Sequence, residues 1–267
     1  MIPHNTSNSN LKNALQAFDP ISMEEIDCVR LMNRVETKYL VPARVINTLL
    51  DFLCREYHIL ESKDNRVFPY STTYFDTKDY LFYNQHIRGQ LDRYKIRYRK
   101  YEFTGESFLE VKKKTNKGRT IKWRISNNFS ADSFDNDANI LLSKYSPVNS
   151  RLIRPVLLSS FSRVTLVNTE LKERITIDYD ISFNEMINRH KIDMPFLLVA
   201  ELKKDGHDLS GPFSRTIRDM NIHPTGFSKY CIGSALLNYS LKRNILKPKI
   251  LSLNRIKNEH NGFFNDE

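Results

Sequence analysis

From about Arg34 onward, hydrophobic and polar residues alternate with a period of two, interrupted by a few stretches of helical spacing. The alternation predicts strands over 33–41, 70–76, 91–101, 106–115, 119–126, 156–168, 171–180 and 196–204. Helical spacing predicts a helix over 43–56, with Val45, Leu49, Leu50 and Leu53 on one face, and further helices over 130–145, 209–220 and 228–241. Residues 1–10 are polar, and 11–32 read as a short helical lead-in. After Leu241 the chain carries Lys242, Arg243, Lys247, Lys249, Arg255 and Lys257, which reads as a partly helical or loose basic extension. With no repeat and no Pro/Gly/Ser linker, the predicted organisation is a lead-in over 1–25, one domain over 26–241 and a basic tail over 242–267.

Residues two apart in a strand share a face. Arg34, Glu36 and Lys38 therefore point one way, as do Lys95, Arg97 and Arg99. Glu110 with Lys112, Lys122 with Arg124, Arg174 with Thr176 and Asp178, and Glu201 with Lys203 repeat the arrangement, against apolar residues on the opposite faces. Any one of these strands is an ordinary half-buried strand with its polar face in water. Arg and Lys recurring in strand after strand suggest an alternative, a sheet rolled around a charged lumen with helices outside. Such a lumen is costly to desolvate without partners. A polyanion with a divalent cation would supply them.

Composition sharpens the choice of partner. The 267 residues hold 41 Lys and Arg against 31 Asp and Glu, a formal charge of +10 that favours anionic ligands. A mean hydropathy of −0.50 and no long apolar run argue against a membrane span. No signal-like block is visible, and Cys28, Cys54 and Cys231 are widely spaced, so the expected location is cytoplasmic. Only eight glycines occur, none forming GxG, which excludes a Walker A loop and a dinucleotide-binding fingerprint. No HExxH pattern marks a histidine metal site.

Nine short motifs follow one another: RVETKY at 34–39, YFDT at 74–77, KIRYR at 95–99, LEVK at 109–112, KWR at 122–124, RPV then FSR at 154–163, ERITID at 173–178, AELK at 200–203 and FSKY at 227–230. In this order they resemble the VTC domain, the catalytic domain of the vacuolar transporter chaperone polyphosphate polymerase and its prokaryotic relatives. That domain belongs to the triphosphate tunnel metalloenzyme superfamily, with CYTH-type and RNA triphosphatases. The resemblance covers roughly residues 30–240. It implies an α+β fold, an antiparallel eight-stranded closed tunnel barrel with a charged lumen, packed outside by helices, and a Mn2+ or Mg2+ cofactor.

Carried over by position, Lys38, Arg97, Arg99, Lys112, Arg163 and Arg174 would grip phosphate as the catalytic set. Ser228 and Lys229 would close over the chain from a helix start, with Lys95, Lys122, Arg124 and Lys203 as further substrate-binding residues. Glu201 would hold the metal, with Glu36 and Glu110 as additional candidates or as charge-balancing partners. Three positions depart from the pattern: Arg34 at the first acidic position of ExExK, Phe161 where some relatives have Tyr, and Gly226 where some polymerases have Lys. The implied reaction passes the γ-phosphoryl of ATP to a growing inorganic polyphosphate chain. The alternatives are hydrolysis of triphosphate or nucleoside triphosphates in the same fold, and a non-catalytic polyanion or nucleic-acid module. The partners expected are ATP and inorganic polyphosphate or triphosphate rather than nucleic acid, with a weak membrane or protein contact through the basic tail.

Overall fold

The structure, a computed structural model, describes residues 11–28, 34–126, 134–206, 208 and 210–263. In chain order the elements begin with α1 (11–16), β1 (Pro20–Ile21), α2 (Met23–Cys28), β2 (Arg34–Pro42), α3 (Ile46–Leu53), β3 (His58–Leu60), β4 (Phe68–Thr77) and α4 (Leu81–Ile87). They continue with β5 (Arg93–Tyr101), β6 (Ser107–Lys114), β7 (Thr120–Ser126), α5 (Asn136–Tyr145), β8 (Ile153–Asn168) and β9 (Glu173–Glu185). The chain closes with β10 (Lys191–Met194), β11 (Leu197–Asp205), α6 (Pro212–Asp219), α7 (Lys229–Leu237) and α8 (Lys247–Phe263).

Eight strands form one path, β2-β11-β9-β8-β4-β5-β6-β7, and every neighbouring pair in it is antiparallel. This is the α+β tunnel barrel with external helices that the alternation and the motifs predict. β2 and β7 stand at the ends of the path, and among the described residues no ladder joins them. Each predicted strand is present within a few residues at each end. The outward faces are apolar and carry the helices. Tyr39, Val41, Ile175, Ile177, Ala200 and Leu202 pack with Leu49, Leu50 and Leu53 of α3 and Phe213 and Ile217 of α6. Ile96, Tyr98, Leu109 and Val111 pack with Ala138, Leu141 and Leu142 of α5.

Helix α7 breaks this rule. Its Tyr230, Ile232 and Ala235 lie in one cluster with Leu157, Phe161 and Phe183, on the concave face beyond the charged residues. A Cβ on Gly233 would stand 2.7 Å from the Phe183 ring and 2.8 Å from Leu157, so this helix approaches closely only because the residue is glycine. The concave face stays continuous along β9 because of a bulge. Ser162 pairs with Tyr179 and Ser160 with Ser182, leaving one extra residue on β9, and Asp180 takes it up at φ 49°. The face lined by Thr176 and Asp178 therefore continues through Ile181 and Phe183.

Four elements escape the alternation: β1, β3, β10 and α4, which are too short for a period to show. Within the predicted helical lead-in, Pro20 and Ile21 instead form β1 and pair parallel with β3. α4 follows Tyr80 at φ 55°, and the buried Asp76 caps it by accepting the Phe82 and Tyr83 N–H groups at 2.9 Å. The predicted helix over 130–145 begins at Asn136, with Asp135 accepting the Ala138 N–H, and residues 130–133 lie outside the described residues. The basic stretch after Leu241 packs as α8 rather than lying loose. Leu246, Leu253 and Ile256 are buried with α7, and Glu259 pairs with Arg44 at 2.9 Å. Among the described residues no helix is long and apolar enough to cross a membrane.

Candidate functional site

The polar part of the concave face has two walls. One is built from β8, β9, β11 and β2. Here Arg163 grips Asp178 with two hydrogen bonds, Nε to Oδ1 at 2.6 Å and Nη2 to Oδ2 at 2.9 Å, and Lys229 donates to the same carboxylate. Burial works to raise the Asp178 pKa, but Arg163 and Lys229 hold it well below the usual carboxylate range. The Arg163 guanidinium lies 5.1 Å from the Tyr70 ring and 5.3 Å from that of Phe161, and these two rings stack with planes 7° apart. Lys229 Nζ sits 4.2 Å from the Phe161 ring centre, so the phenylalanine is a platform for both cations. Next along this wall, Lys38 and Lys203 share Glu201, Lys203 at 2.7 Å. Burial holds Lys38 and Lys229 down to about 8.

The other wall is built from β5, β6 and β7. Arg97 pairs with Glu110 at 2.6 Å and Lys122 approaches the second Glu110 oxygen at 3.4 Å. Glu110 is almost fully buried; burial works to raise its pKa, but Arg97, Arg99, Lys112 and Lys122 hold it down to about 2. No other acid serves this wall among the described pairs. Lys112 is pushed down to about 6, first by Arg97 and then by burial. Arg99 is pushed down to about 10 by burial and by Arg97 and Arg163, and its cationic head lies 5.8 Å from the Tyr70 ring. Arg99 Nε, Thr72 Oγ1 and Ser159 Oγ are buried without hydrogen-bond partners, and register places these three residues side by side across β5, β4 and β8. They form a short row of unsatisfied polar groups on the charged face.

The strap over 224–228 crosses between the walls. Tyr39 bridges Pro224, and Thr225 N–H donates to the Lys38 carbonyl on the outer edge of β2. Ser228 then caps α7, accepting the Cys231 N–H at 3.3 Å and the Lys95 ammonium of β5 at 3.0 Å. The predicted helix start is thus in place, with its N-terminus turned toward the cations. Tyr230 donates to Asp76, tying α7 to the same carboxylate that caps α4.

Of the residues expected in the site, Lys38, Lys95, Arg97, Arg99, Lys112, Lys122, Arg163, Lys203, Ser228, Lys229, Glu110 and Glu201 come together. Arg174 lies on the same face opposite Lys203 and donates to the Ile26 carbonyl at 3.2 Å. Arg124 is exposed on β7 and covers the Phe108 ring at 4.7 Å. The Arg34 side chain lies outside the described residues. Asp178, one acid of the charged face by its strand position, holds both Arg163 and Lys229, a role the alternation does not reveal. The part played by Asp76 and Tyr230 was not visible, since their contact spans 154 residues.

The carboxylates fit a particular kind of metal binding. Glu36 faces Lys203 in register and Glu201 faces Lys38, so the two acids lie on the same face of adjacent strands, one diagonal step apart. Both Glu110 oxygens are engaged by cations, and so are both Glu201 oxygens, by Lys38 and Lys203, so an ion at Glu201 would take the place of one of these ammonium groups. Among the described residues no group of three or more His, Cys, Asp or Glu could hold an ion alone. Glu201 and Glu36 therefore suit a cation whose remaining ligands are phosphate oxygens and water, as is usual for Mg2+ at phosphates.

Fold and site together define an antiparallel tunnel lined by basic side chains. The sequence matches the description of the VTC domain over residues 33–238, and the chain belongs to that family. No curated protein matches it. Among solved structures it is similar to a putative adenylate cyclase from Bacillus halodurans, at 14% identity, 73% of this chain and 94% of that one, with a TM-score of 0.48. It is also similar to a putative adenylyl cyclase from Hippeastrum described as having a dominant triphosphatase activity, at 11% identity, 76% and 96% coverage and a TM-score of 0.43. The Pct1 RNA triphosphatase of Schizosaccharomyces pombe is a more remote likeness, at 9% identity, 83% and 91% coverage and a TM-score of 0.28.

Proposed function

We propose that this chain is a metal-dependent polyphosphate polymerase, which transfers the γ-phosphoryl of ATP to the end of an inorganic polyphosphate chain and releases ADP. The observation that carries the reading is the β5–β7 wall, where Arg97, Arg99, Lys112 and Lys122 surround the single acid Glu110 and Lys95 faces Lys112 on the next rung. Such a wall is short of negative charge, and a phosphate chain would supply it. Membership of the VTC domain family points to the polymer as product.

Phosphoryl transfer requires little covalent work from a protein; it needs an in-line nucleophile and compensation of spreading charge. A terminal oxygen of the acceptor forms a bond to the γ-phosphorus as the bond to the β–γ bridging oxygen breaks, and ADP carries that oxygen away. Arg99 and Arg163 offer planar, two-pronged contacts to phosphate oxygens, whereas Lys38, Lys112 and Lys229 act as point charges. Ser228 and the first N–H groups of α7 orient the chain from the strap. Glu201, with Glu36, would hold the divalent ion, which when bound neutralises phosphate charge. Alignment of donor and acceptor along one face lowers the barrier by removing the entropy of encounter.

Incubating the protein with ATP and Mn2+ or Mg2+, with and without pyrophosphate primer, tests the reading by phosphorus NMR and a polyphosphate gel. Chains with stoichiometric ADP support it, and Glu201→Gln should then abolish turnover. Orthophosphate without chains would replace it with the triphosphatase reading.

A further inference from the structure

The charged face does not stop at Lys95. Arg93 and Lys114 stand directly opposite each other, as do Lys95 and Lys112, so four cations occupy two successive rungs of β5 and β6 on one face. Like charges directly opposite in a sheet repel. At this end α8 comes close to the strap. Lys249 Nζ stands 3.2 Å from the point a Cβ on Gly226 would occupy. Among the described residues the Lys249 ammonium has no carboxylate partner, and neither do Lys95, Lys112 and Lys114.

His86 of α4 is exposed to the same group. Its pKa is pushed down to about 3, by burial first and then by Lys95, Arg93, Lys249 and Lys114, and its Nδ1 is buried without a partner. Five basic side chains from α4, β5, β6 and α8 thus converge with no acid among them. Lys249 also sits in the first turn of its helix, where the macrodipole disfavours a cation. Nothing in the fold requires this: Leu246, Leu253 and Ile256 anchor α8 without it.

We infer that Arg93, Lys95, Lys114 and Lys249 form a second anion subsite at the strap end of the tunnel, which holds the part of a phosphate chain extending beyond the inner set. The inference rests on the reading of the tunnel as a phosphate-chain site. It places a ligand contact on α8, beyond the region that matches the family, which ends at residue 238. The subsite favours long chains over short ones, because Arg93 and Lys114 stand about 13 Å along the strands from the rung of Arg97, beyond a triphosphate seated on Arg97, Arg99 and Arg163.

Binding by the full chain tests this without any need for turnover, using inorganic tripolyphosphate and a medium-chain polyphosphate as probes in calorimetric titrations. Lys249→Gln should weaken polyphosphate binding about fivefold and lower its salt slope by about 0.7, the share of one lost phosphate contact. Tripolyphosphate affinity should change less than about twofold, since no inner contact is lost. Adding Gly226→Lys to that variant should return polyphosphate affinity, because the new side chain starts beside the point Lys249 Nζ occupied and carries an ammonium into the same region. Unchanged polyphosphate binding in Lys249→Gln, or equal losses for both anions, would overturn the subsite. A double variant of unaltered Tm with no recovery would do the same. If the unmutated protein binds neither anion, the tunnel reading itself fails; if Arg97→Ala abolishes tripolyphosphate binding while Lys249→Gln has no effect on either probe, only the subsite does.

Discussion

The two walls of the tunnel hold similar numbers of cations but treat them differently. On β8, β9, β11 and β2, Asp178 serves Arg163 and Lys229, and Glu201 serves Lys38 and Lys203. On β5, β6 and β7, Glu110 alone serves Arg97 and Lys122 while Arg99 and Lys112 have no acid. On the first wall each of these cations already has a carboxylate partner before anything binds, although two acids serve four cations, so its side chains are held in place. The second is incomplete, and its repulsions are relieved only when an anion arrives. One wall supplies geometry and the other supplies affinity.

Removing the central acid of each wall should separate these roles most sharply. Glu110→Gln leaves Arg97 and Lys122 without their counter-charge, and loss of one partner of a buried pair costs about 3–5 kcal/mol. Asp178→Asn should also lower the Tm, but saturating tripolyphosphate should restore the Tm of Glu110→Gln far more than that of Asp178→Asn. Equal rescue of the two variants by ligand would erase the distinction between the walls.

A smaller effect should appear in pH dependence. Lys112 is protonated in the folded protein only below about 6, whereas in the unfolded chain it keeps its proton to its ordinary value. Above that pH the unfolded state binds more protons, so this lysine makes the ligand-free fold more stable as pH rises from about 6 toward that value. An anion draws the proton back, so tripolyphosphate affinity should fall with rising pH from about 6, at most about tenfold per unit for one proton. Phosphate titrates nearby, so the informative quantity is the difference in slope from Lys112→Met. Identical slopes would mean that Lys112 does not face the ligand. The smallest change should come from Lys122→Ala, because that side chain is 40% exposed and screened by solvent. Its tripolyphosphate affinity should fall about twofold or less by calorimetry; a tenfold loss would move Lys122 into the inner set.

Much of this was legible in the chain. Alternating charge along Lys95–Arg99 and Glu110–Lys112 marked the lumen, because a strand's period carries the face assignment without any knowledge of neighbours. What stayed hidden depends on contacts between distant segments. Lys249 looked like one charge of a basic tail, since only the packing of Leu253 and Ile256 brings α8 beside Gly226. Arg174 reads like its neighbours in the strand, and its hydrogen bond to the Ile26 carbonyl emerges only from the packing of α2. Asp76 is visible in the YFDT motif, but its service to both α4 and Tyr230 emerges only in three dimensions.

Asp180 has the effect of a frameshift. A strand encodes its two faces by odd and even positions, and one inserted residue exchanges the two readings from there on. Before it, even-numbered residues of β9 write a charged message onto the tunnel; after it, Ile181 and Phe183 write an oily one for α7 on the same side. A single residue with a left-handed backbone thus lets one strand serve two different solvents in succession. Regular pairing that kept Asp180 in the ladder would send Ile181 and Phe183 to the outer surface and leave α7 without a seat, whereas deleting Asp180 removes the bulge and leaves both on the tunnel side.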